Sequence, residues 1–148
     1  MRELDEPPRN EDGEVTPHDH DGILGEDRII RRVAREWVVE KRGKKCLSSI
    51  AYSPSSGPAG GMSVDVYELI ASDGLDPVEY IKDPKHIGAV IIPVSGVRGL
   101  GFNVGYHPMD GKKYHSEVWG GFSRGNKRKM SEMAEWFVEI PGVASAMG

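Results

Sequence analysis

Residues 86–121 read HIGAVIIPVSGVRGLGFNVGYHPMDGKKYHSEVWGG, and they hold the longest apolar run of the chain with three of its five histidines. Within this stretch, 88–94 is short, β-branched and nearly continuous in apolarity, the pattern of a strand covered on both faces. Pro93 has no N–H to give to a ladder, so it belongs at the strand's end or on an edge. Ser95 is placed to cap a short helix over 95–100, closed by Gly99 and Gly101. Residues 102–107 alternate Phe, Val and Tyr with Asn, Gly and His, the period of a half-buried strand. Asp110-Gly111 is a strong turn signal, after which 114–119 returns as a second alternating strand. A strand, a short connection and a hairpin make one sheet.

Outward from this nucleus, a length of 148 residues suits one domain with a modest core. Charge is unevenly spread. Residues 1–28 carry ten carboxylates against three arginines, a net of −7, and leave the remaining 120 residues at +3. The single cysteine, Cys46, excludes an internal disulfide and a Cys-rich zinc site. Neither a signal-peptide core nor an apolar run long enough for a membrane span is present, and a cytoplasmic location is expected.

Residues 1–27 are rich in Asp, Glu, Pro and Gly, and too poor in apolar surface to offset their ordering entropy, so a disordered acidic tail is expected. His18-Asp19-His20-Asp21 within it reads as part of that solvated tail, with a metal-ligand patch as the sharper alternative. Residues 28–40 fit a helical face or a strand equally well. Their arginines, with the basic turn 41–45, form either a solvated face or an anion-binding surface. Residues 46–52 read as a strand and 53–61 as a flexible connection without phosphate-binding spacing. Ser63 or Asp65 caps a helix over 66–72, and Asp76 caps a second over 77–82 with Pro77 at its first position. The strongest helix pattern is 127–140, where Met130, Met133, Ala134, Phe137 and Val138 form one stripe behind an Asn126 cap. Its basic start opposes the helix dipole. Residues 143–148 read as a small-residue tail.

Several short motifs lie along this path: Arg28-Ile-Ile, Trp37-Val, Cys46-Leu-Ser-Ser-Ile-Ala-Tyr-Ser-Pro54, Gly61-Met-Ser-Val64, Ile87-Gly-Ala-Val90 and His115-Ser-Glu-Val118. In them the chain resembles a group of small bacterial proteins with a serine-containing strand, a Gly-x-Ser-Val step and a late histidine strand. The resemblance spans about residues 28–140. It implies a bacterial or phage origin and one compact domain, and it implies no reaction.

For chemistry, His115 and Glu117 are two apart on a strand and share a face, and a hairpin at 110–111 brings His107 across the ladder to them. Two imidazoles and a carboxylate suit a metal or a general acid–base pair; a solvated sheet face is the plainer reading. The zinc-deaminase and His-Glu-x-x-His patterns are absent. Cys46 beside Lys44 and Lys45 could serve as a nucleophile, against a plain small buried residue. Ser48 and Ser49 lack a nucleophile elbow.

The expected fold is α+β: a mixed, mainly antiparallel sheet of about four or five strands over 28–142, with the 127–140 helix on one face. The leading expected function is a non-enzymatic module, an accessory, adaptor or antitoxin-like component that binds a larger protein partner, without a cofactor. The resemblance places it in a defence, toxin–antitoxin or mobile-element setting. One alternative is nucleic-acid binding through basic segments 28–45 and 112–129, with Arg31, Arg32, Arg35, Lys44, Lys45, Lys127, Arg128 and Lys129 as contacts. The other is a small metal-assisted hydrolase built on His107, His115 and Glu117.

Overall fold

The computed structural model describes residues 1–55 and 60–148, and the connection expected over 53–61 falls in part on 56–59, outside the described residues. The fold is α+β and mainly antiparallel, as expected, with more strands than the sequence indicated: nine, with four α-helices, among the described residues. In chain order they are β1 (Arg28–Val33), β2 (Val38–Lys41), β3 (Lys44–Leu47), β4 (Met62–Val66), α1 (Tyr67–Ser72), α2 (Pro77–Tyr80), β5 (Gly88–Pro93), α3 (Val94–Gly99), β6 (Asn103–Tyr106), β7 (His115–Trp119), α4 (Arg124–Met133), β8 (Glu135–Val138) and β9 (Val143–Met147). The main sheet runs β6-β7-β4-β1-β5-β8, and a small mixed sheet runs β2-β3-β9. Among the described residues no helix is long and apolar enough to cross a membrane.

The apolar run forms β5 in the main sheet, with Pro93 at its end and β1 paired along all six residues. The ambiguity over 28–40 resolves to two strands, β1 and the start of β2, joined by a 3-10 turn, Arg35–Trp37; in β1 the successive residues Ile29 and Ile30 are both fully buried, which a sheet covered on both faces permits. Residues 46–52 split into the end of β3 and a 3-10 turn, Ser49–Tyr52. The Asp76 cap forms, its side chain accepting from the Val78 amide. Neither Ser63 nor Asp65 caps α1, which has no side-chain cap; both residues lie in β4.

The helix expected over 127–140 is shorter and earlier. It starts at Arg124, capped by Ser123 rather than Asn126, and stops at Met133. Residues Glu135–Val138 instead pair with β5, since the open edge of β5 offers ladder bonds that outweigh the local helical period, and Trp136, Phe137 and Val138 suit a pleated surface. The expected tail 143–148 likewise becomes β9, parallel to β3, and buries Val143 and Met147.

The acidic segment 1–27 is folded onto the sheet, contrary to the expectation of disorder. It covers β6, an edge strand whose N–H and C=O groups need partners. The His20 amide donates to the Val104 carbonyl (3.0 Å). Asp19 Oδ1 accepts from the Val104 amide (2.9 Å), and His18 Nε2 accepts from the Tyr106 amide (3.2 Å). Asp27, almost fully buried, is held by the two terminal guanidinium nitrogens of Arg2, each at 2.8 Å. The metal-patch alternative for 18–21 fails for the same reason. His18 Nδ1 donates to Thr16 O, His20 Nε2 to Asp5 O, and His20 Nδ1 accepts from the Gly22 amide, so both rings are committed to the backbone.

One substitution tests this docking. A Cβ on Gly105 would lie 2.5 Å from Trp119 Cζ3 and 2.6 Å from the His18 carbonyl oxygen. Gly105→Ala is expected to lose about 1–3 kcal/mol of stability through overpacking and to speed tryptic cleavage at Arg9. Unchanged cleavage and unfolding would show that the segment does not rest on β6.

Candidate metal centre

β7 is buried along its whole length although it carries His115, Ser116 and Glu117. Two cross-strand pairs, Asp65↔His115 and Ser63↔Glu117, put four polar side chains on one patch of the sheet. On the other side of β7, the turn at 110–111 forms, with Gly111 at φ 73° and a bridge between Met109 and Lys112. It returns His107 beside His115, whose carbonyl accepts from the His107 amide at 3.0 Å.

The local bonds orient these groups. His115 Nδ1 lies 2.8 Å from the His107 carbonyl oxygen. A carbonyl can only accept, so Nδ1 carries the proton and Nε2 keeps its lone pair. That lone-pair nitrogen lies 4.0 Å from Glu117 Oε2, and the two Nδ1 atoms of His107 and His115 are 3.0 Å apart. Glu117 accepts from the Gly61 amide (3.0 Å) and from Ser63 Oγ (3.4 Å). Burial pushes the His115 pKa below the ordinary imidazole value, and the hydrogen bond to the His107 carbonyl and the Glu117 charge offset only part of this. Neutral imidazole is thereby favoured, the form that binds metals or takes a proton. Burial raises the Asp65 pKa, opposed by Arg32 at 3.3 Å.

His107, His115 and Glu117 each offer one ligand atom, and these lie within 4.8 Å of one another. Tetrahedral zinc spaces its ligand atoms about 3.4 Å apart, so closure on an ion takes shifts of about 1 Å. The second shell is of the metal-site type: the far nitrogen of His115 donates to a backbone carbonyl, and the carboxylate is held by an amide and a hydroxyl.

The three residues line a cleft of about 1270 Å³. Its lining also includes a second polar group that the sequence did not single out. Arg32 reaches Asp65 and Asp83 (3.5 Å), and His86 Nδ1 lies 2.8 Å from Asp83 Oδ2. Burial raises the Asp83 pKa, but the bonds from His86 and from the Lys85 amide outweigh it and hold the carboxyl low. Nothing in the local spacing announced this network, because Arg32, Asp65 and Asp83 come from three separated segments.

The basic positions expected on one anion-binding surface divide. Arg31 is interior, 4% exposed, and all three of its guanidinium nitrogens donate within the fold. Arg32 is half-buried in the cleft network, and Arg35 is exposed on a 3-10 turn. Lys44, Lys45 and Lys129 are exposed, with Lys127 and Arg128 partly so. Cys46, the nucleophile alternative, is buried and does not line the cleft. Compared with protein-family models, with curated proteins and with solved structures, the chain has no match in any of the three.

Proposed function

We propose that this protein is a small metal-assisted hydrolase in which His107, His115 and Glu117 hold a divalent transition ion at the wall of the cleft. The observation that carries the reading is the convergence of three ligand atoms within 4.8 Å on a side chain set already oriented from behind. Two imidazoles and a carboxylate suit zinc and its neighbours. Such an ion polarises a carbonyl or phosphoryl oxygen and acidifies water. The chain's own part is to keep His115 neutral by burial, to orient Glu117 through the Gly61 amide and Ser63, and to leave the cleft side open. The adaptor reading rests on an acidic segment beside a basic body without a complete active site; the convergence of His107, His115 and Glu117 favours the hydrolase over it. The cytoplasmic setting remains part of the proposal.

Zinc added to metal-free protein is expected to raise the melting temperature reversibly with chelator. At a hundredfold excess over Kd the linkage amounts to about 2.7 kcal/mol. His115→Ala should abolish the rise. Zinc-loaded protein should hydrolyse chromogenic acetate or phosphate esters. A melting temperature indifferent to both zinc and chelator removes the metal centre, and zinc binding without turnover of any ester class removes the enzyme.

The pH dependence follows from His115. Its folded pKa lies below the unfolded value of 6.5, so its contribution to stability is complete above pH 6.5 and is lost as pH falls through the folded value. Zinc affinity should persist below pH 6.5 and then fall as the ring protonates. Calorimetric titrations between pH 5 and 8 read this, and an affinity that rises on acidification would contradict it.

A further inference from the structure

Eight cations stand apart from the rest of the charge on this protein. Lys41, Arg42, Lys44 and Lys45 are exposed around the β2–β3 turn, and Arg124, Lys127, Arg128 and Lys129 lie on α4. The two groups meet: Lys41 Nζ and an Arg128 guanidinium nitrogen both donate to the same oxygen of Gly148, each at 3.3 Å. Arg2, Arg9, Arg28, Arg32, Lys82, Arg98 and Lys113 all have carboxylate partners. Among the described residues none of the eight forms an ion pair with an Asp or Glu side chain, a property shared with Arg31, Arg35, Lys85 and Lys112. The acids within 38–45 and 123–133 are Glu40, opposite Lys45 in the ladder, and Glu132 near the end of α4, which leaves these two segments at +6 in a chain of net −4.

Helix stability does not account for the cluster, since cations in the first turns of α4 oppose its dipole. Folding separates the patch from the cleft, whose lining takes no residue from 38–54 or 120–148. It also narrows the basic surface legible in the sequence. Arg31 and Arg32 are committed inside, and Lys113 is paired with Asp73 at 3.1 Å.

We infer that this patch is a docking surface for duplex DNA, gripped through its phosphates. Ammonium and guanidinium groups match phosphate oxygens. Neither segment contains an aromatic side chain on which unpaired bases could stack, which separates it from single-strand platforms. The reading is independent of the metal centre.

The test is fluorescence anisotropy with a 20-base-pair DNA duplex at 50–200 mM salt, beside duplex RNA, single-stranded DNA and polyglutamate. With about four to six phosphate contacts, affinity should fall roughly a hundred- to two-thousandfold across that range. Arg42→Glu/Lys44→Glu and Lys127→Glu/Lys129→Glu should each weaken binding at least tenfold at unchanged melting temperature, and His115→Ala should bind as the native protein does. No binding at 50 mM salt, binding indifferent to both charge reversals, or equal or tighter binding of single strands, duplex RNA or polyglutamate would each overturn the inference.

Discussion

Arg31→Met is expected to lower the free energy of unfolding by about 3–5 kcal/mol, the scale for removing one partner from a buried charge network. The β1–β4 ladder is only two pairs long, Ile29↔Val66 and Ile30↔Asp65. Beyond it the Arg31 guanidinium supplies what the ladder does not. It donates to the carbonyls of Ala51 (2.9 Å), Ser63 (3.0 Å) and Ser53 (3.2 Å) and to Ser55 Oγ (3.1 Å), over the Trp37 ring at 4.9 Å. Burial lowers its pKa to about 10, against the opposing charge of Glu117, so it remains cationic at neutral pH. Methionine fills part of the volume but leaves three carbonyls and the buried Glu117 without this partner. Arg31→Lys keeps the charge and loses the fork, so it should recover less than half of the deficit. Urea denaturation reads both variants. A methionine variant with the native midpoint would mean that the guanidinium is not structural.

Glu117→Gln carries the second large effect, on metal affinity. The substitution keeps the shape of the side chain and an oxygen for the Gly61 amide, but it removes the charge and the carboxylate ligand. Second-shell changes alone cost zinc sites about ten- to a hundredfold, so loss of a ligand should weaken zinc by at least about a hundredfold in calorimetric titration. Arg31 loses its opposing charge at the same time, and stability should drop by about 1–3 kcal/mol. His115→Ala separates the two consequences: it should lose zinc without disturbing Arg31. If the glutamine variant binds zinc as tightly as the native protein, Glu117 is not a ligand and the proposed centre fails.

The halves of this site differed in how visible they were. His115 and Glu117 shared a face by the two-residue period of a strand, and Asp110-Gly111 announced the turn that returns His107. Both signals act over a few residues. Asp65 sat in the same sequence as a helix-cap candidate, and only the pairing of β4 with β7 sets it against His115. Arg31 read as a surface cation because four arginines lie within eight positions. Its burial depends on where 51–55 and 63 come to lie, which no local pattern records.

The sequence by itself determined the elements whose causes are local: the β-branched run of β5, the alternating hairpin strands, the Asp76 cap, and the α+β, mainly antiparallel class. Tertiary structure alone decided which edges were filled. β8 and β9 replace a helix end and a tail, and residues 1–27 fold onto β6 despite a composition that argued against order. The physical reason is common to all three. An open strand edge presents buried backbone donors and acceptors that must be satisfied, and any segment within reach can supply them whatever its own periodicity prefers. Side chain chemistry set what the site can be; the ladder order decided which residues meet there.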